Sequence, residues 1–298
     1  MAKGEWTEGA SCRRRNSLDA AWTTTALATS RLLFSASLTM ALGAIPLLGT
    51  SALAQSPAAQ TSAAQLSAPQ TSDGARWGYS TADGPSRWSR LDPSYKACQA
   101  GHEQSPIDLH GARLNKTLQP IEFHYLVGTI SERNDGHTVL MNVAPGSYIV
   151  ADGTRYDLVQ FHFHHPGEEA VKGRLSDMSV HLVHKSADGK LAIVAVRLTE
   201  GNPNAVLAAL WPHLPQTAGT SETVSERVNP AGLLPLNRGY WTYTGSLTTP
   251  PCTEGVRWFV FEEQKQLNRE QLRTFGALFK FNARPLQDTH GRRIEASE

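Results

Sequence analysis

Five histidines fall within one short stretch of the chain, at positions 162, 164, 165, 181 and 184. The first three close the run Leu158-Val159-Gln160-Phe161-His162-Phe163-His164-His165, whose apolar character and alternation read as a β-strand. Successive strand side chains point to opposite faces, so His162 and His164 share one face, and Phe161, Phe163 and His165 the other. Val180-His181-Leu182-Val183 reads as a second strand, reached through turn signals at Pro166 and Gly173 and a charged segment. If the two strands are neighbours, His181 completes a cluster of three imidazoles. Three histidines with one open position is the ligand set of a catalytic zinc ion, whereas structural zinc sites are usually closed and cysteine-rich. A single strand histidine is more often a core or surface residue than a ligand, so the zinc reading depends on the third one. His165 and His184 have the wrong parity to join and read as structural or solvent-facing.

The elements that must position these residues are mainly strands. From Ile121 to Leu198, runs at 121–126, 137–143, 147–153, 158–165, 179–185 and 191–198 alternate with turn signals such as Asn134-Asp135-Gly136 and Ala187-Asp188-Gly189. Gln104-Ser105-Pro106-Ile107-Asp108 reads as a turn into a strand, and Trp77, Tyr79 and Trp88 as an aromatic N-terminal arm. Residues 202–214 predict a short helix with Asn202 as cap and Pro203 in its first turn. Tyr240–Tyr243 and Val256–Phe261 are further strands, and Phe261–Phe279 carries a helical pattern with Glu262 and Glu263 at its start. The class is α+β and β-dominated: one large mixed, mostly antiparallel twisted sheet with short peripheral helices.

The 298 residues carry 28 Lys/Arg against 27 Asp/Glu, a balance that points to no nucleic-acid partner. The N-terminus is different. Arg13-Arg14-Arg15 and Arg31 precede the apolar run Leu32–Leu48, and Ser51-Ala52-Leu53-Ala54 offers a small-residue cleavage site. Residues 1–54 therefore read as a secretory signal peptide with a long basic start, cleaved after Ala54, or as a twin-arginine type signal. Residues 55–75, rich in Ala, Ser, Gln, Thr and Pro, read as a flexible tether, with a folded domain over 76–298. No stable membrane span is expected after processing, and the expected compartment is the periplasm or the exterior. Cys98 and Cys252 then remain as an even pair in an oxidising compartment, where a disulfide is expected.

A second constellation is more specific: Gly239-Tyr240-Trp241-Thr242-Tyr243-Thr244-Gly245-Ser246-Leu247-Thr248-Thr249-Pro250-Pro251-Cys252. Together with the HFH pair, HLVH, NDGH, QSPI and WGY at their spacings, it resembles the α-class carbonic anhydrases, most closely the secreted bacterial members. The resemblance covers the chain from about Trp77 to its end. It implies zinc-dependent, reversible hydration of carbon dioxide to bicarbonate and a proton, by attack of a zinc-bound hydroxide, with one zinc ion per chain. His162, His164 and His181 match the zinc ligands. Thr248 matches the residue that accepts the hydroxide's hydrogen bond, and Glu168 the carboxylate that receives the threonine's own proton; neighbouring Glu169 reads as a solvated loop charge. Val183, Ile193, Leu247, Val256 and Trp258 match the apolar wall for carbon dioxide, and Thr249 lines the substrate side. His137 matches the proton shuttle, for which an imidazole pKa of about 6.5 is suitable. Tyr79 matches the tyrosine of the proton–water network, and Gln160 the residue bonding the first ligand's far nitrogen. Sulfonamide and anion inhibitors are implied, and a homodimer is compatible.

Two departures stand out. The family often carries a glutamate two residues before the third ligand, where this chain has Ser179. A shorter, uncharged hydroxyl there predicts a weaker imidazole donor and weaker zinc retention. Leu140 stands where relatives often have a polar side chain, which predicts slower proton transfer or a rearranged water chain. An acatalytic binding module on this fold would typically lack a ligand histidine, and a merely metal-holding protein would not need the threonine–glutamate relay. Both alternatives are weaker than an enzyme.

Overall fold

Within residues 76–298, which the computed structural model describes, thirteen strands join in one mixed sheet. In chain order they are β1 (Arg113–Leu114), β2 (Glu122–His124), β3 (Gly128–Asn134), β4 (Val139–Val143), β5 (Tyr148–Ala151), β6 (Thr154–His164) and β7 (Met178–Ser186). The remainder are β8 (Leu191–Glu200), β9 (Ser221–Val228), β10 (Tyr240–Ser246), β11 (Glu254–Phe261), β12 (Lys265–Leu267) and β13 (Glu295–Ala296). The main path runs β1-β13-β10-β11-β8-β7-β6-β4-β3-β9, with β12 beside β8, β5 beside β6 and β2 beside β5. Only β1–β13, β8–β11 and β8–β12 pair in parallel, so the mixed and mostly antiparallel expectation holds. The signal and tether assigned to residues 1–75 lie outside the described residues. Among the described residues no helix is long and apolar enough to cross a membrane.

The two histidine strands are neighbours. β6 and β7 pair antiparallel with His162 opposite His181 and His164 opposite Ser179. A strict two-residue period would put Leu158 on the same face as Gln160, His162 and His164. A bulge between Leu158 and Gln160 leaves Val159 without an opposite residue and reverses the parity. Tyr156, Leu158, Phe161 and Phe163 therefore all enter one apolar cluster, while Gln160 and the histidines turn to the other face. The bulge turns the histidines to the opposite face without exposing the core.

Two one-turn helices, α1 (Trp88–Leu91) and α2 (Ala97–Ala100), precede the sheet, and the larger cluster is covered by α3 (Ala205–Leu210) and α4 (Arg269–Leu278), through Leu207, Leu210 and Phe275. Both helices begin later than the sequence predicts. Asn204, not Asn202, caps α3, accepting the Val206 and Leu207 N–H groups, so Pro203 stays outside the helix. For α4, Asn268 and Gln271 form a reciprocal capping box; Glu262 and Glu263 belong to the turn after β11, and 265–267 become a strand. Strands β3 and β9 are unmarked in the sequence reading because outward Thr, Ser, Arg and Glu residues dominate them.

On β3, Glu132 is buried, both its carboxylate oxygens lack hydrogen-bond partners, and Glu222 stands opposite it on β9. Burial, aided by the Glu222 charge, pushes its pKa up to about 8. The folded state thus holds a proton that the unfolded chain releases at the ordinary carboxylate pKa, and stability falls as pH rises from that value towards 8. Glu132→Gln is expected to raise the melting temperature at pH 9 and to leave it nearly unchanged at pH 5. Equal shifts at both pH values, measured by calorimetry, would refute this assignment.

Candidate metal centre

On the face opposite the main core, two adjacent cross-strand rows define the site. One runs Gln160–Val183–Ile193–Trp258–Tyr243 across β6, β7, β8, β11 and β10; the next runs His162–His181–Ala195–Val260. Val183, Ile193, Val256 and Trp258 belong to a second apolar cluster, against which Leu247 packs. All five sequence-predicted wall residues are therefore contiguous. The Trp258 ring meets the His181 ring edge-on at 5.0 Å, placing this wall directly beside the imidazoles.

The three histidines converge. Their ring centroids lie 4.5–5.5 Å apart, and one ring nitrogen from each falls within 4.8 Å of the others. The outer nitrogens are engaged elsewhere. His162 Nδ1 donates to Gln160 Oε1 at 2.9 Å, His164 Nδ1 to the Asn282 carbonyl at 2.9 Å, and His181 Nε2 to Glu169 Oε1 at 2.6 Å. These bonds leave Nε2, Nε2 and Nδ1 facing inward, and the buried His164 Nε2 has no hydrogen-bond partner. Burial holds the His162 pKa well below its usual value and that of His164 down to about 3, so both rings are neutral donors. At His181 burial is outweighed by the Glu169 and Glu168 carboxylates, which raise the pKa. Two neutral imidazoles and a carboxylate-paired third, with their outer nitrogens engaged and an orphaned inward nitrogen on His164, fit the three-histidine ligand set of a catalytic zinc ion.

Beside the histidines, Glu168 is buried and accepts the Arg284 backbone N–H on Oε1 at 2.7 Å. Burial pushes its pKa up to about 7, against the opposing pull of His181, the Arg284 N–H and the Thr248 hydroxyl. Glu168 Oε2 has no partner in full hydrogen-bond geometry, so Thr248 acts on this carboxylate from nearby without closing the bond. Thr248 itself is buried and Thr249 half-buried. Their loop is tied down where Leu247 N–H donates to Thr253, Cys252 N–H to Thr249 and Gln104 Nε2 to Cys252, all at carbonyl oxygens. Ser105 and Ser246 exchange backbone N–H to hydroxyl bonds at 2.9 and 3.1 Å, fixing the QSPI turn to the end of β10.

His137 sits on the Asp135–Thr138 turn. Its ring stacks on Trp77 with centroids 3.6 Å apart, and its Nε2 lies 2.8 Å from the Trp77 carbonyl. Tyr79 packs edge-on against Trp77 and Trp88; burial, then the Glu168 and Asp135 charges, raise its pKa well above the usual tyrosine value. The aromatic arm thus encloses both proton-handling candidates. His184 is buried and bonded to Tyr125 at 2.7 Å, and His165 bonds the Lys280 carbonyl, so neither joins the cluster, as parity predicts. Leu140 is buried on β4.

Three contributors escaped the sequence reading. Asn282 fixes His164 through its carbonyl and donates to the His137 and Phe163 carbonyls. Arg284 holds Glu168 and reaches the Ser105 and Cys98 carbonyls at 2.7 Å each. Both lie in an irregular segment without periodicity, where buried polar side chains carry no sequence signal. Glu169 is a correction: it is fully buried and bonded to His181, not a solvated loop charge. Its adjacency to Glu168, behind Pro166-Gly167, was the available clue.

The sequence model of eukaryotic-type carbonic anhydrases matches residues 83–298. Carbonic anhydrases of Pectobacterium carotovorum and Klebsiella pneumoniae are 37% and 39% identical over 224 and 221 residues, spanning 75% and 73% of this chain and 91% and 89% of theirs. The α-carbonic anhydrase of Thermovibrio ammonificans, solved in complex with sulfanilamide, is similar in structure: TM-score 0.73, 39% identity, 76% of this chain and all of that one.

Proposed function

The chain belongs to the eukaryotic-type, or α-class, carbonic anhydrase family, and we propose that His162, His164 and His181 hold one zinc ion for the reversible hydration of carbon dioxide. Zinc held by three imidazoles supplies a Lewis acid that lowers the pKa of a bound water to about 7, a value for which carbonic anhydrase is itself the standard example. The observation that carries the reading is the convergence of three inward nitrogens beside both an apolar row and a threonine–carboxylate pair.

Each flanking group has a task in this scheme. Val183, Ile193, Leu247, Val256 and Trp258 exclude water from the wall where apolar carbon dioxide is held, with Thr249 at the substrate side. Glu168 accepts the hydrogen bond donated by the Thr248 hydroxyl, so that the Thr248 oxygen lone pair is left as an acceptor for the nucleophile's hydrogen and orients it. His137 accepts the proton released in each cycle and passes it to solvent, with Tyr79 ordering the water path. Gln160 fixes the tautomer of His162. We assign residues 76–298 as the catalytic domain, delivered to the periplasm or exterior by a signal ending at Ala54, and we expect aryl sulfonamides and anions to inhibit it.

Stopped-flow hydration of carbon dioxide, with and without a chelator or an aryl sulfonamide, tests the reading. Zinc-loaded protein that fails to accelerate hydration would sink it. Thr248→Val removes the hydroxyl at constant shape and is expected to lower the hydration rate about 10²-fold with zinc content unchanged. A rate within about twofold of the parent would refute the relay.

A further inference from the structure

We infer that the carboxylate orienting the third metal ligand is supplied by Glu169, from the loop before β7, in place of a residue on β7 itself. The inference rests on the zinc reading above and adds to it a positioning residue.

Ser179, two residues before His181, does not touch that imidazole; its hydroxyl accepts the Glu168 backbone N–H at 3.2 Å. The 166–171 loop lies flat on the start of β7. Gly167 has no room for a side chain there, because a Cβ would stand 2.9 Å from the Met178 carbonyl. The Gly167 N–H donates to the Ser176 carbonyl, and Leu109 N–H to the Ala170 carbonyl, so the loop is pinned on both sides of the two glutamates. Between these anchors Glu169 enters the interior and its Oε1 accepts the His181 Nε2–H at 2.6 Å. Arg197, opposite Ser179 in register on β8, places its positive charge where it acts on Glu169. A buried carboxylate is thus desolvated and committed to one imidazole, whose tautomer it fixes with Nδ1 facing the other two histidines. The small residue at 179 and the acidic residue at 169 are two halves of one exchange: a longer side chain at 179 would occupy the ground over which the loop carries Glu169.

The consequence reverses the expectation drawn from Ser179 alone. Zinc retention should match that of an anionically supported histidine and depend on position 169. The experiment is zinc transfer from loaded protein to a competing chelator, for the parent, Glu169→Ala and Glu169→Gln, alongside melting of the zinc-free proteins. Both variants are expected to lose zinc about 10–100-fold faster than the parent. In nitrogen-edited NMR of the parent, the His181 Nε2–H proton should be strongly downfield and should move upfield in both variants. Glu169→Gln fills the same space, so it separates charge from packing and serves if the alanine variant does not fold. Zinc loss from the Gln variant within about twofold of the parent would overturn the assignment. A parent protein that binds no zinc would instead sink the zinc reading itself.

Discussion

Replacing His162 with alanine is expected to remove stoichiometric zinc from the purified protein and to slow carbon dioxide hydration by at least about 10³-fold. The ligand set has no spare member: His165 and His184 are committed to Lys280 and Tyr125 and face away, so nothing replaces a lost imidazole. Two nitrogens cannot hold a Lewis acid with one open corner at the same strength, and metal catalysis is worth several kcal/mol of barrier, each 1.4 of which is about tenfold in rate. The fold should survive, because His162 is only half-buried and its neighbours Phe161 and Phe163 anchor β6 from the opposite face. His184→Ala is the contrast. It empties a buried site behind the sheet and should lower the melting temperature while leaving one zinc per chain. Metal analysis, stopped-flow rates and thermal melts on the two variants separate the roles; a His162→Ala protein that keeps its zinc and its rate would refute the site.

The contrast shows which parts of the site were legible. Strand parity alone separates His162 and His164 from His165, since it depends only on the alternation of β-structure. It fails earlier on the same strand, at the Val159 bulge, which moves Leu158 to the core face although it shares parity with His162 and His164. A bulge is a property of two strands together and leaves no mark in either one. The apolar wall was legible only through the family resemblance, because Val183, Ile193 and Trp258 are scattered in sequence and become one row when β7, β8 and β11 pair. Supporting polar residues were the least visible. Asn282 and Arg284 each combine one backbone group with a buried polar side chain and reach across more than a hundred residues. Glu169 was misjudged because an acidic pair after Pro-Gly is usually solvated; here the loop approaches β7 closely at Gly167 and both carboxylates are buried.

Opening the Cys98–Cys252 bridge should be the largest single loss of stability. The bond joins positions 154 residues apart, with Cα atoms 5.0 Å from each other. Closing a loop of that size removes unfolded-state entropy worth about 5 kcal/mol in the chain-entropy model, an upper bound. For a domain of this size about 1 kcal/mol corresponds to about 2–4 °C, so Cys98→Ser/Cys252→Ser should melt about 10–20 °C lower. The effect should extend to the site. Cys252 closes the loop carrying Thr248 and Thr249, and its carbonyl receives Gln104, while the Cys98 carbonyl receives the same Arg284 whose N–H holds Glu168. Reduction should therefore slow hydration at temperatures well below the melting point, with zinc still bound, because the threonine and its carboxylate are tethered from the two ends of the bridge. The histidines are not: their strands are paired by the sheet itself. Loss of zinc before loss of rate on reduction would invert this order and refute the coupling; an unchanged melting temperature in the fully reduced protein would remove the stability claim. A domain so dependent on an oxidised pair is suited to an oxidising compartment, where such pairs persist, and this accords with the export proposed for the chain.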